Sequence, residues 1–147
     1  MESVFSIFPD SIKSRLGNID SNDNITEIRL RIGRRIIIYI EKKEFTLDYM
    51  ITLKDILDIL VKVSKNSLYA IQNDINEGFV TIKGGHRIGI CGEAVIENGK
   101  VINVKNINSL NIRVARQVIG AANNIINYVA DDIGVNNTLI VSPPGCR

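Results

Sequence analysis

Hydrophobic and polar residues alternate over residues 27–32. Ile28, Leu30 and Ile32 fall on one face, and Glu27, Arg29 and Arg31 on the other. A period of two predicts a half-buried strand. Gly33, Arg34 and Arg35 make a turn, and the apolar run 36–40 predicts a second, more buried strand. Glu41, Lys42 and Lys43 lead into a third strand over 44–47, so the three form an antiparallel meander.

The period then changes. Over 52–63, Leu53, Ile56, Leu57, Leu60 and Val61 recur at helical spacing, which predicts a helix with these residues as its buried stripe. Thr52 is placed to cap it, and Asp55 suits its positive end. Lys54–Asp58 and Asp58–Lys62 are i,i+4 pairs on the wet side. Two shorter helices are predicted. One covers 9–17, with Pro9 in the first turn, Ile12 and Leu16 one turn apart and Gly17 as the stop. The other covers about 67–76, with Leu68, Ile71 and Ile75 on one stripe. The polar stretch 18–24 is a loop.

Strands resume at 79–82. Lys83, Gly84, Gly85 and His86 make a tight turn, and a strand over 87–96 is broken by Gly89 and Gly92. Asn98-Gly99 is a strong hairpin signal, after which 101–104 pairs back and 110–115 alternates again. A last helix is expected over 118–130, with Val118, Ala121, Ala122, Ile125, Ile126 and Val129 buried. Residues 138–141 read as a buried closing strand that runs into a Pro-Gly turn. The pattern gives an α+β class: an antiparallel sheet with packed helices over 1–117, then over 118–147 a helix and a strand that open an α/β core of the P-loop type.

Composition narrows the function classes. With 45% hydrophobic and 23% charged residues in 147, the chain is globular and long enough to bury a core. A net charge of +2 gives no general affinity for polyanions. Cys91 and Cys146 form no disulfide framework and lack metal-ligand spacing, so both read as free thiols, Cys91 as a small buried hydrophobe. No apolar stretch reaches the ~18–20 residues of a membrane span. The N-terminus has no basic, then apolar, leader pattern. The expected location is cytoplasmic, with any membrane association made through partners.

The chemistry-bearing segment is the closing one. A strand followed by Ser142-Pro143-Pro144-Gly145-Cys146 matches the opening of a Walker A loop, whose backbone N–H groups cradle phosphates before a Lys-Ser/Thr pair on a helix. Arg147 stands where the loop's second glycine would fall. Ser142, Pro143, Pro144, Gly145 and Cys146 are therefore a partial nucleotide-binding segment. Pro143 and Pro144 have no N–H to give.

Other candidates are contact residues. Gly84-Gly85-His86-Arg87 reads either as an ordinary hairpin tip or as a protruding loop that meets a partner. Arg29, Arg31, Arg34 and Arg35 form a basic strip to which Arg113 and Arg116 can add. It reads as a solvated face, or as an edge facing another subunit or a nucleotide. Few aromatics are interleaved with these charges, which disfavours nucleic acid. With one histidine, a multi-His metal site is excluded. No paired carboxylates argue acid–base work, and no catalytic residue or metal site is assigned.

Several segments in order carry a family resemblance: Ser67-Leu68-Tyr69-Ala70, Glu77-Gly78-Phe79-Val80-Thr81-Ile82, Gly84-Gly85-His86-Arg87-Ile88-Gly89, Asn111-Ile112-Arg113-Val114-Ala115-Arg116 and the closing strand and loop. Together they closely resemble the stage III sporulation protein AA family of spore-forming bacteria. The resemblance implies a P-loop ATPase related to secretion-system motor ATPases: an N-terminal domain, then a RecA-like core that uses ATP and Mg²⁺, assembled as a ring. It implies as partners the other ring subunits and the membrane proteins of the mother cell–forespore channel, on the mother-cell side. The family continues Gly-Lys-Thr-Thr where this chain has Arg147. The expectation is an N-terminal, assembly-directing portion that by itself does not hydrolyse ATP and holds no cofactor. The alternatives are a stand-alone adaptor module and, third, a nucleic-acid-binding domain.

Overall fold

The computed structural model describes residues 4–17, 19, 24–65, 67, 71–116, 119–131 and 133–142. The chain divides into two units, Met1–Ala115 and Arg116–Arg147.

The first unit is built on a six-stranded, wholly antiparallel sheet. Its strands are β1 (Ile25–Arg31), β2 (Arg35–Ile40), β3 (Lys43–Met50), β4 (Phe79–Ile82), β5 (His86–Glu97) and β6 (Lys100–Arg113), in the order β3-β2-β1-β6-β5-β4. Two meanders, β1-β2-β3 and β4-β5-β6, thus meet along β1 and β6. The helices are α1 (Asp10–Leu16), α2 (Leu53–Val63) and α3 (Gln72–Asn76), preceded by one 3₁₀ turn, Val4–Ile7. The α+β class and the antiparallel sheet read from the sequence are those of the structure.

One sheet face carries the core. Ile28, Leu30, Ile36, Ile38, Ile88, Ile90, Leu110 and Ile112 point inward from four strands. They meet Phe8, Ile12 and Leu16 from the N-terminal helical segment and Ile56, Ile59 and Leu60 from α2. Each such aliphatic side chain contributes about 1.5–3 kcal/mol on burial.

Several local expectations shift. Strand β3 extends to Met50 because every residue of β2 finds a partner on it apart from a bulge at Arg35/Ile36. The broken pieces expected over 87–96 and 101–115 are two unbroken strands, β5 and β6. The irregularity is absorbed as a register shift between Cys91 and Glu93. The stripe of α2 is rotated. Asp55, Ile56, Ile59 and Leu60 are buried, whereas Leu53, Leu57 and Val61 are exposed. Cys91 is exposed rather than buried. Ile88 and Ile90 point inward, so strand alternation turns Cys91 outward, opposite Ser109. Of the helix expected over 67–76 the described helical part is α3, and residues 68–70 lie outside the described residues.

In the second unit the expected helix over 118–130 is reduced to α4 (Ile126–Val129). Gly120 takes φ +82°, a left-handed conformation that a continuing helix does not allow. Residues 138–141 form no strand, because no pairing partner stands beside them among the described residues. Leu139, Ile140 and Val141 are 88%, 69% and 84% exposed.

Candidate functional site

The strand register assembles a polar face on the side of the sheet away from the core. Thr81, Arg87, Arg113, Glu27, Tyr39 and Glu44 lie in one row across β4, β5, β6, β1, β2 and β3. Phe79, Gly89, Asn111, Arg29, Ile37 and Thr46 lie in the next. Residues far apart in the chain are thus brought side by side.

Within this face the charges are unevenly used. Arg29 Nε donates to Glu27 Oε1 at 2.5 Å, Arg29 Nη1 donates to Tyr39 OH at 3.2 Å, and the Tyr39 hydroxyl donates to Glu44 at 2.5 Å. The Arg29 guanidinium also lies 4.7 Å from the Tyr39 ring centroid. The bond to Glu27 holds the Arg29 pKa above its ordinary value, and the bond to Glu44 raises that of Tyr39. On the other half of the sheet, the Arg87 guanidinium sits 3.5 Å from the centre of the Phe79 ring, a cation–π stack. Arg113 stands between Glu27 and Arg87 in register. At the centre, Asn111 Oδ1 is a buried side-chain oxygen without a hydrogen-bond partner.

The Gly84-Gly85-His86-Arg87 segment borders this face. Gly84 and Gly85 take φ +92° and +78°, and Gly85 N–H donates to Ile82 O at 3.0 Å, closing the β4–β5 turn. A Cβ on Gly84 would lie 2.9 Å from His86 Nε2. Glycine there lets the imidazole fold back over the turn. His86 Nδ1 accepts from the Ala115 N–H at 3.1 Å, which requires the neutral ring with its proton on Nε2. Burial lowers the His86 pKa in the same direction. The turn is thereby fastened to the end of β6, and Arg87 is the residue it sends onto the open face.

Of the sequence candidates, the structure brings together Arg87, Arg113, Arg29 and Arg31 on one face. Arg34 lies in the β1–β2 turn, and Arg35 pairs with Asp48 at 3.1 Å. Arg116 belongs to the second unit. Ser142 is exposed and outside regular structure, while Pro143, Pro144, Gly145 and Cys146 lie outside the described residues. Sequence reading missed Phe79, Tyr39 and Asn111. The aromatic partners of Arg87 and Arg29 come from neighbouring strands, so only the register reveals them. Among the described residues no helix is long and apolar enough to cross a membrane.

The sequence profile of the family described as "Sporulation stage III, protein AA" matches residues 1–147. The "Stage III sporulation protein AA" of Bacillus subtilis (strain 168) is 36% identical over 146 residues, 98% of this chain and 47% of that protein. The chain therefore spans about half the length of this curated relative. Among solved structures, the VirB11 ATPase of the Brucella suis type IV secretion system, in complex with sulphate, aligns with 92% of this chain and 38% of its own, at 16% identity. The TM-score of 0.36 makes that a loose correspondence. The profile match along the entire chain and the identity to the B. subtilis protein establish that this chain belongs to the sporulation stage III protein AA family.

Proposed function

We propose that residues 1–147 are the N-terminal, assembly-directing portion of a sporulation motor ATPase that serves the mother cell–forespore channel. One observation supports this most directly: a self-contained sheet unit, Met1–Ala115, precedes a segment whose sequence opens a phosphate-binding loop, all within one family match. In this reading the open face with Arg87, Arg113 and Arg29 contacts neighbouring ring subunits and channel proteins on the mother-cell side. Exposed arginines that can bond in two directions suit such contacts.

ATP and Mg²⁺ fit the present residues only in part. Pro143 and Pro144 offer no N–H, and no Lys-Ser/Thr pair follows Cys146 in these 147 residues. No catalytic step is assigned to this chain. Its contribution to the site is the N–H groups of Gly145 and Cys146 at the loop's start.

Two measurements test the proposal. The chain of residues 1–147 is expected to show no ATP turnover above blank; turnover that disappears on chelating Mg²⁺ would overturn that point. Replacing the part of the B. subtilis relative that matches residues 1–115 with residues 1–115, which leaves the relative's own phosphate-binding loop intact, is expected to restore spore formation in a strain lacking that protein. A chimera that accumulates normally but restores nothing would leave the adaptor reading standing. Arg87→Glu with Arg113→Glu in the same chimera is expected to lower spore yield at unchanged protein level.

A further inference from the structure

β6 leads into a hydrogen bond unlike the rest of its ladder. Val114 N–H donates to Thr26 O beside β1 at 3.0 Å, so alternation turns the Ala115 N–H toward β5. Arg87 faces Arg113 in register, so the residue due to face Ala115 is Gly85. Gly85 lies inside the β4–β5 turn at φ +78°, and the ladder stops short of it. The acceptor for Ala115 is instead His86 Nδ1, at 3.1 Å. A ring nitrogen that can take up a proton thus stands where a continued ladder would place a carbonyl. Ala115 is also the last residue of the sheet unit, and the chain passes from it into Arg116–Arg147.

The charged side chains around the imidazole are cations. Lys83 and Arg87 belong to its own hairpin, and Arg113 and Arg116 to the stretch that it clasps. Carboxylates on the neighbouring elements are engaged elsewhere: Glu27 of β1 by Arg29, Asp55 of α2 by Thr52, Ser11 and Tyr49, and Asp58 of α2 by Lys54. Asp74 and Glu77, at α3 beside β4, make no ion pair with the ring.

We infer that His86 is a proton-sensitive clasp at the exit of the sheet unit: the neutral imidazole holds Ala115 to the β4–β5 turn, and protonation releases it. Protonation turns Nδ1 from acceptor to donor, so two N–H groups then face each other with no acceptor between them. The path of the chain beyond Ala115 is fixed in the first state and free in the second. Burial lowers the His86 pKa from 6.5. The clasp is therefore fully made above pH 6.5 and is lost as pH falls through the value in the folded chain.

The test is nuclear magnetic resonance on the isotopically labelled chain of residues 1–147, from about pH 8 down to about pH 5. The chain has one histidine, so the ring signals are unambiguous. At the upper end the ring proton is expected on Nε2. The Ala115 amide resonance should titrate with the same midpoint as the ring. Its hydrogen exchange, corrected for the intrinsic rate, should quicken about tenfold on protonation. The Ile112 amide, which alternation turns to β1, should stay protected throughout, and this separates release from unfolding. His86→Asn, whose side-chain oxygen replaces Nδ1 as a non-titrating acceptor, should keep Ala115 protected at every pH; His86→Ala should leave it fast-exchanging at every pH. If His86→Ala does not fold, the parent chain and His86→Asn decide. A proton on Nδ1 at the upper end, an Ala115 midpoint different from that of the ring, joint loss of protection at Ala115 and Ile112, or an unaltered pH dependence of Ala115 in His86→Asn would each overturn the inference.

Discussion

Asp55 shows how one side chain can fix several elements. It is 3% exposed, yet it is a carboxylate. Its oxygens accept from Thr52 N–H at 2.9 Å, Thr52 Oγ1 at 2.6 Å, Ser11 Oγ at 2.9 Å and Tyr49 OH at 3.1 Å, while its own N–H donates to Thr52 Oγ1. The capping box was legible, since Thr52 and Asp55 stand three apart ahead of a helical stripe. The bonds from Ser11 and Tyr49 were not, because they join α1 and β3 to α2 across the fold. Burial acts to raise the Asp55 pKa, but the bonds from Thr52, Ser11 and Tyr49 outweigh it and hold the value below 3.8. A depressed carboxylate pKa adds stability above the unfolded value, and that stability is lost as pH falls through the folded one. Asp55→Ala is therefore expected to cost about 2–3 kcal/mol at pH 7, where a cap and buried hydrogen bonds are removed together. The gap from the parent chain should narrow as pH drops below 3.8 and through the folded pKa. Urea melts at a series of pH values measure this. A loss below about 0.5 kcal/mol, or a gap that does not change with pH, would contradict it.

At the scale of elements, alternation located nearly every strand, and it failed where a bulge or a turn residue intervened. Gly92 is the clearest case. As a lone glycine in a strand pattern it reads as a break, but β5 passes through it. The register shift between Cys91 and Glu93 sits there, and Asn106, near it on β6, takes φ +50°. A Cβ at Gly92 would stand 2.5 Å from Lys105 O, 2.9 Å from Val104 Cγ1 and 3.1 Å from Ile107 Cα. Two of these three atoms are backbone and cannot swing aside. The outer part of the hairpin, with Glu93 paired to Lys105 and Glu97 to Lys100, is held against α3 by Asn76 Nδ2 donating to Ile102 O and Gln72 Nε2 donating to Asn103 Oδ1. Gly92→Ala is expected to destabilise the chain by about 2–4 kcal/mol and to shift amide resonances of 93–105 and of α3 together. Unchanged stability with shifts confined to the immediate neighbours of residue 92 would show that the crossing has more room than the geometry gives. The altered stripe of α2 has a related cause. Helical periodicity permits Leu53, Leu57 and Val61 or Ile56, Ile59 and Leu60 to face inward. The caps through Asp55 to α1 and β3 choose the second set.

At the scale of the whole molecule, the two units differ in what supports them. In Met1–Ala115 twenty hydrophobic residues among the described ones form one buried cluster, from Val4 to Ile112. In Arg116–Arg147 no described residue is buried, and Ile119, Ile133, Leu139 and Val141 are all more than 80% exposed. The strand propensity of 138–141 was plain in the sequence, but a strand is completed only by neighbours, and propensity cannot supply them. The arginine face, by contrast, was half legible: Arg29 and Arg31 from alternation, Arg87 and Arg113 only from pairing. The contrast between the units predicts that a chain of residues 1–115 folds alone. Its thermal midpoint is expected to lie within about 3 °C of that of the 147-residue chain, because removing 116–147 removes little buried area. The longer chain, which carries exposed Leu139, Ile140 and Val141, is expected to bind a hydrophobic dye and to self-associate with rising concentration, as exposed strand-forming segments do. Sedimentation velocity on both chains separates the outcomes. If the shorter chain melts much lower, residues 116–147 support the sheet unit. If both chains stay monomeric and bind no dye, the apolar run 138–141 is covered in solution. With the expected pattern, the sheet unit stands as the independently folding part, and Ile140→Asp in the longer chain should abolish its self-association while leaving its melting point unchanged.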